Sequence, residues 1–497
     1  MNDNTLSVDN EQCAQVKEKP EYSRAETILS VFIMIAAFCF IRYVVCHAMG
    51  FITTGLFIAI ITAAMIYLKS KKLEFSGYNK LLTVILYVFS FVFSITANNF
   101  IKFLDAVFIC GVGAYLLYSV GAGNKTIEKF LPFAMVKALL EYPFSEFSVQ
   151  SKITSDMVSD SRTGKNIRLV LIGLIITFPL TAIVAALLMS ADDGMKRIIQ
   201  SMFSSIDNAE FWSIVLQVIF AIPCSMYLFG MFYANAKGDE LKKLDERICI
   251  QKLYNMRFIS NLICYTAVTP ICILYVLFFI SQANYFLSAF TDSLPAGFTY
   301  ADYARKGFFE LCAVAVINLC VICFISLHSK KAGREKPFAL KLYSIVLSVF
   351  TIILIATALS KMVMYIKRYG LTELRVYTSW FMILLAAVFV LILVKQFRFD
   401  MKFAKHISVV FTVMFALLCF SRPESLIAKY NIEMYKSGYL EELDEEALLD
   451  MSDDARLTAL KSGVVTAEEV NEEKYSGYEG GSYGRYNISS VILDSMT

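Results

Sequence analysis

The run Tyr300-Ala301-Asp302-Tyr303-Ala304-Arg305-Lys306-Gly307-Phe308-Phe309-Glu310-Leu311 holds the densest set of groups that could do chemistry. On a helix, Asp302, Lys306 and Glu310 fall on one face at four-residue steps, with Asn318 further along it. Negative, positive, negative and amide then follow one another into an apolar stretch. Glu310 lies about one turn inside that stretch, where an ionised carboxylate requires a partner. Lys306, Arg305 or a cation from another segment can supply it, either as an interfacial ion pair or as a substrate or proton site. A second charged run, Lys361 to Arg375, carries Lys361, Lys367, Arg368 and Arg375 with Tyr369 among them. Lys361 is read as snorkelling to the surface. Gly370 is expected to cap one helix and Thr372 to start the next. The two runs are expected to meet in an ion-paired cluster of Tyr300, Asp302, Tyr303, Arg305, Lys306, Glu310, Asn318, Tyr369 and Arg375.

The elements that must position these residues are membrane helices. Across 497 residues the chain is 57% hydrophobic and 18% charged, with a mean hydropathy of +0.59. Soluble domains run near 45–50% apolar and about 25% charged. A spanning helix needs about 20 apolar residues. Such stretches lie near 26–46, 51–68, 81–98, 103–121, 168–190, 211–235, 258–281, 307–328, 341–361, 375–395 and 405–421. The predicted fold is therefore all-α, a polytopic transmembrane helix bundle of about 11 spans. Residues 1–25 form an N-terminal tail, 26–421 the membrane domain, and 422–497 a short acidic tail.

An odd span count places the termini on opposite sides. With the N-terminus in the cytoplasm, 29 of the 46 Lys and Arg fall in inside segments, 10 in outside connections and helix ends, and 7 in the tail after residue 421. That asymmetry follows the positive-inside trend. The first span reads as a retained anchor, since mixed-charge residues precede it and no small-residue cleavage pattern follows. Residues 130–144 are expected to form an amphipathic helix on the inner leaflet, and 191–210 an outer counterpart.

Pro179, Pro223 and Pro270 fall near the middle of spans five, six and seven. Each withholds one backbone donor and frees the carbonyl four residues earlier, at Ile175, Ile219 and Thr266. Thr177, Thr266 and Thr269 are candidates to cover them. Three broken helices in succession suit a polar cavity or hinge, and also ordinary packing kinks. From Glu424 onward 16 acidic residues face 6 basic ones. Tyr439 to Leu460 has helical apolar spacing, and Gly477 to Gly484 reads as a flexible end. This tail is either solvated, a docking segment for a basic protein partner, or a flap on its own membrane domain.

The strongest enzyme and metal signatures are missing: there is no P-loop, no G-x-S-x-G and no H-E-x-x-H. Three widely spaced histidines and twelve mostly intramembrane cysteines suggest no cofactor and no disulfide framework. Nucleic acid is not an expected partner, whereas membrane lipids are.

The stretches at 300–311 and 369–377, with Ile427-Ala428-Lys429-Tyr430-Asn431-Ile432 after the last span, resemble a bacterial multi-pass membrane family, domain of unknown function 4173. The resemblance covers roughly 290–435. Lys361 and Lys429 stand where that pattern has Arg. It implies a bacterial inner-membrane protein and imports no activity. Three function classes follow from the residues: a transporter with a polar cavity among spans five to eight, a sensor or partner protein without a substrate, and a membrane enzyme acting on a lipid-linked envelope substrate.

Overall fold

The computed structural model describes residues 22–159, 209–237, 244–290, 308–330, 337–398, 400–476 and 486–497, with isolated helical positions between 173 and 194. Among the described residues the regular elements are all helices, with one isolated bridge between Ile259 and Ser329, and ten helices are long and apolar enough to cross a membrane. They begin with α1 (Arg24–Phe40, continued as a π-helix over Ile41–Cys46), α2 (Phe51–Ser70), α3 (Gly77–Ser90, with a short turn Val92–Ile95) and α4 (Asn99–Gly121). After α5 (Val149–Ser159) come α6 (Ala209–Ala236), the short α7 (Glu246–Asn255), α8 (Asn261–Phe290), α9 (Phe308–His328), α10 (Phe338–Tyr369), α11 (Glu373–Phe397) and α12 (Phe403–Phe420). The expected fifth span over 168–190, its Pro179 and the amphipathic segment at 191–210 lie outside the described residues, apart from single positions and the first turn of α6.

Local sequence sets the helix starts. Ser76 accepts from Asn79 N at 3.2 Å and Asn98 from Ile101 N at 2.8 Å, each satisfying a first-turn donor that hydrocarbon would leave stranded. Gly370 ends α10 with a φ of 73°, as expected of a helix-ending glycine. Thr372 starts α11 without a side-chain cap, so that part of the expectation is corrected. Pro223 and Pro270 lie inside helices α6 and α8, where the sequence places them. One correction concerns the hydroxyls expected to cover the freed carbonyls. Thr266 and Thr269 donate to Leu262 O and Tyr265 O, at 3.1 and 2.7 Å, and leave the freed carbonyl of Thr266 to others.

Two bundles result. Helices α1–α4, α6 and α12 enclose one apolar core around Leu68, Phe93, Tyr118 and Phe232. Helices α8–α11 enclose another around Ala315, Leu347, Ala358 and Phe389. Trp380 of α11 joins them by donating to Met414 O of α12 at 2.9 Å. The 130–144 segment is helical without a break from Leu131, part α and part π, and its Ala134, Ala138 and Tyr142 pack inward while the apolar Val136, Leu140 and Phe144 are exposed.

Contacts fix the helix directions. Arg42, late in α1, donates to Gln217, early in α6, at 3.4 Å, while Gly121 at the end of α4 abuts Asn235 at the end of α6. The starts of α1 and α3 and the ends of α2, α4 and α6 therefore share one face, and Cys46, Phe51, Asn99, Tyr369, Glu373 and Phe420 share the other. The second face carries everything after residue 422, so Arg24 and the C-terminal segment stand at opposite ends of the bundle. At Gly121 a Cβ would stand 2.5 Å from Asn235 O. Gly121→Ala is therefore expected to lower stability by about 1–3 kcal/mol through forced displacement. Gly113→Ala, where a Cβ meets nothing within 4 Å, serves as its control in a detergent melting experiment.

Candidate functional site

The segment after the last span is a folded cap rather than a loose acidic tail. Helices α13 (Pro423–Lys436), α14 (Glu445–Asp450), α15 (Asp453–Lys461), α16 (Ala467–Ser476) and α17 (Ile488–Met496) close around Ala428, Ile432, Leu448, Ala455, Val470 and Leu493. The expected helical stretch 439–460 divides into α14 and most of α15. Gly477 to Gly484 lies outside the described residues.

Buried polar bonds seat this cap on the helix ends. Asp454, fully buried, accepts from Thr96 Oγ1 at 2.7 Å, Ala97 N at 2.9 Å, Ser489 Oγ at 2.5 Å and Arg422 Nη2 at 2.7 Å. Arg422 holds a left-handed backbone, φ 50°, a conformation a non-glycine residue adopts only when its surroundings fix it. Glu424, 4% exposed, accepts from Asn98 and from the backbone and hydroxyl of Ser452. Asn98 also donates to Glu373 at 3.2 Å. Asn431 clasps the α10–α11 turn from above, its Oδ1 2.7 Å from Leu371 N and its Nδ2 2.8 Å from Leu371 O.

Between cap and bundle lies a polar cavity of about 780 Å³. Asn98, Lys102, Glu373, Glu424, Asp450, Asp453 and Arg456 supply most of its polar lining. Helix α4 delivers Asn98 and Lys102 at a four-residue step, α11 delivers Glu373 from its first turn, and the cap delivers the rest. Lys102, 2% exposed, donates to Met49 O at 2.6 Å. Burial pushes the Glu424 carboxyl up to about 9, with the hydrogen-bonded Glu373 carboxyl acting in the same direction. Two carboxyls can bond each other only while one carries a proton. One turn deeper in α4 than Lys102 is Asp105, fully buried, with neither carboxylate oxygen hydrogen-bonded. The described residues hold no group of three or more His, Cys, Asp or Glu able to hold a metal.

The residues singled out from the sequence are distributed differently. Tyr300, Asp302, Tyr303, Arg305 and Lys306 lie outside the described residues. Glu310 is exposed at the start of α9, and Lys361 feels its charge. Arg375 bonds backbone instead: it donates to Tyr369 O at 2.9 Å and to Gly370 O, with its guanidinium 4.1 Å from the Tyr365 ring centre. Tyr369 packs edge-on against Tyr365. Arg368 reaches the cap at Glu441, 2.9 Å away, in an exposed pair that stabilises little. Asn318 serves as a polar cross-link, accepting from Tyr275 Oη at 2.5 Å and donating to Thr351 Oγ1 at 2.8 Å. This polar cavity lies under the cap; span five and the entry to span eight, where the sequence suggests another, lie outside the described residues.

No curated protein and no solved structure matches the chain. A family model described as a domain of unknown function, DUF4153, matches residues 81–461. The match runs from α3 through both bundles to the end of α15, far beyond the 290–435 stretch on which the resemblance to family 4173 rested. That finer assignment is corrected: the model that matches is DUF4153. The chain is an integral membrane protein and belongs to the DUF4153 family.

Proposed function

We propose that the protein is transporter-like, with a solute path that opens from the polar cavity beneath the cap into the first bundle. The observation that carries this reading is the placement of charge along α4: Lys102 in the cavity wall and Asp105 one turn deeper, inside a spanning helix and without a hydrogen bond. Ionisable groups within spans are costly and commonly mark ion or substrate pathways. The host is proposed to be a bacterial cytoplasmic membrane with the N-terminus inside and the cap outside, which the Lys and Arg distribution supports.

Cysteine accessibility tests the path. Asp105→Cys, in proteoliposomes that present the cap outward, is expected to react with a small membrane-impermeant cationic thiol reagent above the background of the unaltered chain. Reaction only after unfolding in detergent would contradict a path and favour the second reading, a dry bundle whose cap meets a protein partner.

A further inference from the structure

We infer that the groove between α13 and α15 of the cap is a binding site for an array of phosphate groups. From Glu424 onward the chain has six basic residues among sixteen acidic ones. Three of those six, Lys429, Lys436 and Lys461, line a single groove of about 460 Å³, and Arg422 closes its end. Their gathering in an otherwise acidic segment makes a local cationic surface that favours an anion, although Lys436 also donates to Ser462 O at 2.8 Å.

The geometry is set by the helices. Lys429 and Lys436 are seven residues apart, which returns them to nearly the same face of α13 with a rise of about 10.5 Å. Lys461, in the last turn of α15, supplies a cation from the opposite wall. Ser425 and Thr458 bridge the two walls, Oγ to Oγ1 2.8 Å, and Thr458 donates onward to Asp454 O at 2.8 Å, so the pair holds the groove's shape. Buried Ile432 and Leu457 form the floor, while the lysines themselves are exposed. Arg422 is committed to Asp454 at 2.7 Å and shapes the end of the groove. The one acidic residue in the lining, Glu433, lies 3.9 Å from Lys429 with both side chains about two-thirds exposed, a pair too solvated to neutralise the site.

Compact ammonium groups suit the many oxygens of phosphate, and their spacing along a helix suits several phosphates rather than one. A soluble polyphosphate chain and a surface of anionic lipid headgroups share that chemistry. The full-length protein is tested with two probes: tripolyphosphate, added to protein in neutral detergent, and nanodiscs of phosphatidylglycerol compared with phosphatidylcholine. Tripolyphosphate binding in detergent identifies the soluble form. Phosphatidylglycerol-dependent protection of the cap from protease, without tripolyphosphate binding, identifies the lipid form. In either case K429Q/K436Q/K461Q is expected to reduce the effect at least tenfold while melting like the parent, and E433Q to strengthen it. Failure of both probes, or equal binding by the triple variant, overturns the site.

Discussion

Asp454→Ala releases the cap. Asp454 is fully buried and is the acceptor on which Thr96, Ala97, Ser489 and Arg422 converge. Truncating it leaves a guanidinium and several donors without their acceptor at a desolvated interface. Breaking a buried pair from one side typically costs about 3–5 kcal/mol. Each tenfold change in an equilibrium corresponds to about 1.4 kcal/mol, so docking is expected to weaken by at least a hundredfold. Trypsin cleavage within α15 and α16 reads this directly: the variant is expected to lose the cap rapidly while the spans stay intact. Asp454→Asn, which keeps an acceptor but no charge, is expected to fall between variant and parent.

Cap docking also depends on pH through Glu424. A free Glu titrates near 4.3, whereas burial and the Glu373 carboxyl push Glu424 up to about 9. The docked state therefore holds a proton that the released state gives up. Stability from this group is fully present below the free value and lost as pH rises through about 9. Between pH 6 and pH 10 the cleavage rate of the cap is expected to climb, and Glu424→Gln, neutral throughout, is expected to remove most of that climb. A rate for E424Q that rises as steeply as the parent's would show that another group controls docking.

The spans were legible because hydrocarbon thickness demands long uncharged stretches, a constraint written locally at α2, α8 or α10. Gly370 was legible for the same reason, since a helix end needs a residue tolerant of positive φ. The cap was legible only in part. Its apolar spacing around Leu448 and Ala455 announces helix, but the bond from Thr96 to Asp454 joins residues 358 positions apart, and no local pattern encodes it. Lys102 and Asp105 are hard to single out locally, because one charge near a helix start and one inside an apolar stretch leave the span pattern intact. A signal did exist: Asn98, Lys102 and Asp105 follow at steps of four and three, one polar face entering an apolar helix. Asn318 misled in the opposite way. A buried amide at mid-span suggests a cavity, yet Tyr275 and Thr351 satisfy it within packed helices.

The central claim is that the polar cavity between cap and bundle opens to the outside of the cell. Asp450 lines that cavity and is exposed, so Asp450→Cys reports on it with little disturbance to the fold. Membrane-impermeant thiol labelling of intact cells is expected to modify this variant above the level of the unaltered chain, with no gain on lysis. Labelling that appears only after lysis would place the cap, the cavity and the phosphate groove in the cytoplasm and contradict the account.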